Sequence, residues 1–330
     1  MLRFFRGTGP GVILLIAILL GVLWINAFLD PQMPGQSLFE TRPMPLYRII
    51  QSITGSHPLT GVIFTFLILI VMLFLMVNFN TSVFFINERT ILPAVVYLLF
   101  SAVFPEMQVL NPVLPAALFL LLAFIRIMGA YRKPGIAFNF FDAALLISTG
   151  SLFYANLIWF GLLVLIGIAL LRTGNIQEIT VCLAGLVVPY ILTIGLYYVL
   201  GKDIGAFLTD TGENLFGDST GYIFTRLSII VLIYLGLLIL ISIGYLMTQM
   251  NSKKIKTRKT FYLLIWSFII PLILYLVLSS VSVEMIWIAG IPAAYFLTHY
   301  FVFARKKLFP EMMFTGLLLL VLLLQLLTII

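Results

Sequence analysis

Asp30 and Glu40, with Arg42, Arg48 and His57 close behind them, are the residues whose types and order could do chemistry in this chain. A carboxylate can serve as a general base, and two guanidiniums with an imidazole can hold a phosphate, so the stretch contains the parts of a group-transfer site. Within it, Leu46-Tyr47-Arg48-Ile49-Ile50-Gln51-Ser52-Ile53 repeats apolar residues at helical spacing, the pattern of a short helix lying on a membrane surface. The same charges also suit a solvated loop pinned by that helix, the commoner use of charged loop residues.

Two further groups could carry chemistry. Asn139 and Asp142 are three apart and share one helix face, with Arg126 or Arg132 on the preceding hairpin as the nearest partner. An acid at that depth is expected to face the bundle interior or a watery cavity. Asp203, Asp210, Glu213 and Asp218 cluster among Gly, Thr, Ser and Asn, where a flexible loop could supply oxygens to a hard cation or simply be solvated. No EF-hand spacing is present there. His299 and Gln325 are lone polar residues, expected to be hydrogen-bonded in the bundle. The one cysteine, Cys182, and two histidines form no zinc-ligand pattern, so no metal site is assigned. Phosphate-loop, zinc-protease and nucleophile-elbow motifs are missing, and nothing names a cofactor.

The elements that must position these residues are membrane helices. The chain is 62% hydrophobic and 9% charged, which excludes a soluble domain, and apolar runs of about 20 residues recur from end to end. Runs such as Leu317 to Leu324 are apolar at every position, unlike alternating barrel strands. The reading is an all-α, polytopic transmembrane bundle forming one domain over 1–330. About eleven helices are expected, near 11–29, 59–78, 91–104, 113–130, 137–152, 154–171, 179–200, 222–248, 261–280, 284–303 and 311–330. The first is expected to be retained rather than cleaved.

Basic residues set the orientation. With a cytoplasmic N-terminus, 15 of the 19 Lys and Arg residues fall inside, leaving Arg42, Arg48, Lys202 and Arg226 outside and the C-terminus outside. Outer loops then lie at about 30–58 and 201–221, and a basic cytoplasmic loop at about 249–260. Because the +7 charge is explained by insertion and lipid headgroups, nucleic acid is not an expected partner and the bilayer is. Trp24, Trp159, Trp266 and Trp287 fall near span ends, as interfacial anchors do. Val83 to Ile86 is expected to dip into the inner interface.

Asn87-Glu88-Arg89-Thr90-Ile91-Leu92-Pro93, then Phe104-Pro105-Glu106, Asn111-Pro112, Leu118 to Arg126, Gly150 to Tyr154 and Pro189-Tyr190 resemble a family of uncharacterised polytopic inner-membrane proteins of Bacteroidota. More remotely, the layout is similar to membrane glycosyltransferases that use polyprenyl-phosphate-linked sugars, in which an acid of the first outer loop is catalytic. That resemblance implies Asp30 and Glu40 as catalytic and a role in the cell envelope, with Arg42, Arg48 and His57, on the reading of the loop itself, as substrate- or phosphate-binding. A non-catalytic scaffold or assembly subunit joined to other envelope membrane proteins, and a carrier of lipid or small solute built on Asn139, Asp142 and Arg126, stand as alternatives.

Overall fold

The computed structural model describes residues 2–5, 7, 9–34, 39, 42–55, 57–86, 88–132, 138–172, 176–218, 222 and 224–328, with the backbone alone at residues 3 and 4. Every regular element among them is helical: α1 (Leu2–Phe5), α2 (Pro10–Leu29), α3 (Pro45–Thr54), α4 (Pro58–Val83), α5 (Leu92–Ser101), α6 (Val113–Gly129) and α7 (Asn139–Ser151) come first. They are followed by α8 (Gly161–Leu171), α9 (Ile176–Val199), α10 (Ile204–Phe216), α11 (Arg226–Gln249), α12 (Ile255–Val277), α13 (Ile286–Phe303) and α14 (Leu308–Leu327). Prolines at the first positions of α2, α3 and α4 fix the entry dihedral where the missing N–H costs nothing.

Seven helices among the described residues are long and apolar enough to cross a membrane, so the protein is a multi-pass membrane protein. Of the about eleven expected segments, those at 91–104, 113–130, 137–152 and 154–171 are shorter helices; the last divides into a 3-10 turn over Ala155–Phe160 and α8. Their brevity goes with position. Every residue of α5 is buried, as are nearly all of α13 and most of α6, whereas α2, α9, α11, α12 and α14 carry exposed apolar rows such as Ile18, Ile191, Ile233, Leu276 and Leu319. Exposed apolar surface on that scale is tolerable only against lipid.

α13 is the axis of the core, packed by α5, α6, α11 and α12, while α7 lies between α6 and α9. Polar side chains tie the core by reaching backbone: the Tyr97 hydroxyl donates to Trp287 O at 2.9 Å, Tyr295 to Met76 O at 2.8 Å, and Gln325 Nε2 to Ala102 O at 2.9 Å. Small residues permit the closest helix approach. A Cβ on Gly185 of α9 would come 2.7 Å from the Phe141 carbonyl of α7.

Several sequence expectations need correction. Trp24 and Trp287 do not anchor at an interface: both are buried, and Trp24 packs edge-on against Phe66. Phe85 and Ile86 do not dip into lipid. Phe84 adopts a left-handed conformation (φ 54°), the chain folds back, and Phe85 inserts between Phe79, Phe261 and Tyr295. Asn80 fixes this return, accepting from Ile86 N–H and donating to Glu88 O. The acidic stretch after α9 is mainly helix α10, not a flexible loop.

Candidate functional site

Arg42 and Arg48, the expected anion clamp, face acids of their own chain. Arg42 reaches Asp210 at 2.5 Å and Glu213 at 2.7 Å on α10, and Arg48 on α3 reaches Asp210 at 3.5 Å. The Asp210 hydrogen bond is the main reason that the Arg42 guanidinium holds its proton more tightly than usual. Buried Asn214 reinforces the clasp through the backbone, donating to Arg42 O at 2.8 Å and accepting from Arg42 N–H at 3.3 Å. Asp203 is the N-cap of α10 and accepts from Gly205 N–H at 2.7 Å and Ala206 N–H at 3.2 Å. Three of the four acids are thus engaged within the chain, one capping a helix and two neutralised by arginine, and no group of three or more metal-ligating His, Cys, Asp or Glu side chains occurs among the described residues.

Beside the clasp, α3 and the end of α9 frame a groove of about 360 Å³. Leu46, Ile49 and Leu196 give it apolar walls, and Arg48, Tyr197 and Lys202 line it too. Local sequence places the second cation. α9 ends in a Schellman turn with Gly201 at φ 62°, where Lys202 N–H bonds Tyr197 O at 2.9 Å and Gly201 N–H bonds Tyr198 O at 3.2 Å. That turn sets the Lys202 ammonium 5.6 Å from the Tyr197 ring. α3 is held from below, its Tyr47 hydroxyl donating to Leu110 O at 3.0 Å, and it leaves for α4 through Gly55 at φ 64°.

Asp30 is elsewhere. It follows the last residue of α2, accepts from Gln32 Nε2 at 2.8 Å, and lines a separate cavity of about 230 Å³ with Asn26, Glu106, Gln108 and Thr328. Neither Arg42, Arg48 nor His57 borders it, so the structure does not bring the expected base together with the expected clamp. His57 precedes α4 as an exposed residue whose carbonyl accepts from the Thr60 hydroxyl at 2.6 Å. Glu40 lies outside the described residues.

At the other end of the bundle Arg126 is the partner of Asp142, 3.7 Å away, and Asn139 Nδ2 donates to Arg126 O at 3.3 Å. Of the two placements expected for Asp142, the bundle interior and a watery cavity, it does not take the first: its side chain is 45% exposed and occupies the first turn of α7, where the helix dipole favours an acid. His299 departs from expectation in the opposite sense. It is fully buried among Tyr245, Phe261 and Phe303, and neither ring nitrogen has a hydrogen-bond partner among the described residues. Above two of these rings Lys253 lies 5.0 Å from Phe303 and 5.9 Å from Phe261, and burial pulls its ammonium pKa down.

Glu106, Gln108 and Glu284 carry no role in the sequence reading. Glu284 is buried just before α13, accepting from the Tyr154 hydroxyl and from Ser282 N–H, each at 3.0 Å. The signal available was an acid flanked on both sides by apolar residues in Val283-Glu284-Met285, which demands a buried partner. Glu106 and Gln108 gave a comparable signal, two polar side chains within one turn after Phe104-Pro105.

The model of a family described as a family of unknown function, DUF6427, matches residues 45–330. No curated protein and no solved structure matches the chain. The matched stretch opens at the first residue of α3 and takes in Arg48, Lys202 and Glu106, while Asp30 and Arg42 precede it.

Proposed function

We propose that this chain, which belongs to the DUF6427 family of unknown function, takes a phosphate-bearing lipid into the groove between α3 and α9. The observation that carries this reading is the groove itself: apolar walls for a hydrocarbon chain, with Arg48 and Lys202 lining the same space to meet an anionic headgroup. Arginine and lysine together satisfy a phosphate by fork and point charge. The basic-residue bias assigns this end to the outer face of a cell inner membrane, with eleven crossings, the N-terminus inside and the C-terminus outside. Asp30 and Thr328 sharing one cavity supports the arrangement, since α2 and α14 then finish at the same end.

The chemistry that such a groove would serve is transfer from a polyprenyl-phosphate-linked sugar donor during envelope assembly. Asp210, 3.5 Å from Arg48, is the described carboxylate nearest to that cation, whereas Asp30 lines the separate cavity at the end of α2. A carrier centred on Asn139 and Asp142 has less support, because Asp142 is an exposed ion-paired group at a helix start.

The test is retention of anionic lipid by the full chain purified in native lipid and analysed by mass spectrometry. With Arg48→Ala and Lys202→Ala combined, retained polyprenyl or phospholipid phosphate should fall about tenfold, the loss expected when two charge-assisted contacts worth about 1.4 kcal/mol together are removed. Equal retention by wild type and variant would remove the groove as the binding site. Retention that falls while a labelled polyprenyl-phosphate sugar is never consumed would leave lipid binding standing and end the transferase reading.

A further inference from the structure

The end of the bundle opposite the groove gathers two cations on one aromatic ring. Just beyond α6 the Tyr131 ring packs against the core, with the Arg132 guanidinium 5.4 Å and the Lys259 ammonium of α12 5.8 Å from its centroid. The hydroxyl of Thr260, next in sequence to Lys259, meets Met128 Sδ of α6 at 3.6 Å, so packed helices set this meeting. Each cation is attracted to the ring, but like charges brought that close repel each other. The ion pairs found among the described residues engage Arg42, Arg48, Arg126 and Arg172, and neither Arg132 nor Lys259. An anion held by both would remove the repulsion.

The backbone supplies an independent observation. Arg132 holds φ 58°, a left-handed conformation uncommon for a residue with a Cβ. At the turn after α9 the left-handed residue is Gly201, which adopts it without steric cost, and at Phe84 the core contacts of Phe85 offset the cost. Arg132 is exposed, and what its conformation achieves is a guanidinium set beside Lys259 on the Tyr131 ring. Backbone strain kept at such a position points to a function for the side chain. The first turn of α12 adds Lys256 and Arg258 and no acid, so the surrounding field is positive as well.

We infer that Arg132 and Lys259, gathered on the Tyr131 ring, bind a phosphate group at the end of the bundle that the basic-residue bias assigns to the cytoplasmic side. Phosphate fits this donor set: the guanidinium fork takes two of its oxygens, the ammonium takes a third as a point charge, and two unneutralised cations match its negative charge. Such a phosphate belongs either to an inner-leaflet lipid headgroup or to a free anion. The site shares no residue with the groove between α3 and α9, so each can fail without the other.

The test uses full-length protein carrying Arg48→Ala and Lys202→Ala, which removes the cations of the groove, in phosphatidylcholine nanodiscs doped with phosphatidic acid. Native mass spectrometry counts the phosphatidic acid that stays bound, and saturable retention is expected. Adding Arg132→Gly or Lys259→Ala should weaken it about fivefold each. Arg305→Gln with Lys306→Gln, which removes exposed charge from the same end, should change it by less than about twofold. Arg132→Gly also relieves the left-handed backbone, so its melting temperature should not fall, which separates lost binding from lost folding. In nanodiscs of phosphatidylcholine alone, calorimetric titration with sodium phosphate identifies the source. Saturable binding that Arg132→Gly weakens assigns the site to a free anion, and no binding there, with phosphatidic acid retained, assigns it to a lipid headgroup. Retention that falls as much with the Arg305 and Lys306 variant reports diffuse surface charge and overturns the site. Binding of neither form, or binding indifferent to both Arg132→Gly and Lys259→Ala, overturns it as well.

Discussion

Two acid-bearing regions lie at one end of this bundle and handle their charge in opposite ways. Around α10, Asp210 and Glu213 are matched by Arg42 and Arg48 from a segment 168 residues away in sequence, and Asp203 is matched by helix N–H groups. Around the end of α2, Asp30 and Glu106 share a cavity that no cation lines among the described residues. Structure is what the first region gains: a helix of modest intrinsic propensity, with Gly205, Thr209, Thr211 and Gly212 in it, is fastened over the end of the bundle. In the second the acids meet only neutral donors among the described residues, Asp30 accepting from Gln32 and Glu106 from Tyr222.

Asn214→Ala gives the largest effect expected within this comparison. It removes both hydrogen bonds to the Arg42 backbone and leaves that N–H and carbonyl partly desolvated, a cost of about 2 kcal/mol. Hydrogen exchange over residues 204–216 should accelerate by about thirtyfold, the equilibrium factor for that energy, while exchange over residues 106–110 beside the Asp30 cavity stays as it was. If protection over residues 106–110 falls together with that of α10, the two regions open as one unit and the contrast between them is broken.

Asp203→Ala is expected to act less strongly and more locally. Loss of the cap costs about 1 kcal/mol, so exchange in the first turn of α10 should rise about fivefold while the Arg42 clasp near its end is retained. Uniform acceleration along α10 would show that the helix opens as a unit and that the clasp alone does not hold it.

How much of this could be read from sequence follows the range of the interactions. Helix α2 is expected at 11–29 and found at Pro10–Leu29, and α9 is expected at 179–200 and found at Ile176–Val199, because apolar runs and breakers act locally. α3 is legible for the same reason. α10 carries a signal too, an N-cap Asp203 ahead of Ile204, Phe207 and Leu208, then Leu215 and Phe216, but its glycines and threonines obscure it. What cannot be read is partnership. Arg42 and Arg48 look like an open phosphate clamp until α10 returns to meet them, and Asp30 looks like their neighbour by sequence proximity alone. Trp24 and Trp287 mislead similarly, since nearness to a span end does not say whether the ring faces lipid or protein.

Arg48→Ala should have the smallest effect on stability and the most informative one. Its pair with Asp210 is long at 3.5 Å, its side chain is 49% exposed, and Asp210 keeps the shorter bond to Arg42. Exposed pairs of this kind contribute about 0 to 1 kcal/mol, and the retained partner puts this one at the low end, so the melting temperature should move by less than about 2 °C. Lipid retention should nevertheless fall, because Arg48 and Lys202 are the cations among the described residues that line the groove to meet a phosphate. A variant that melts like wild type but releases its lipid assigns Arg48 to binding. One that loses α10 protection to the extent seen with Asn214→Ala assigns it to the clasp instead, and the groove then has one cation too few to hold a phosphate.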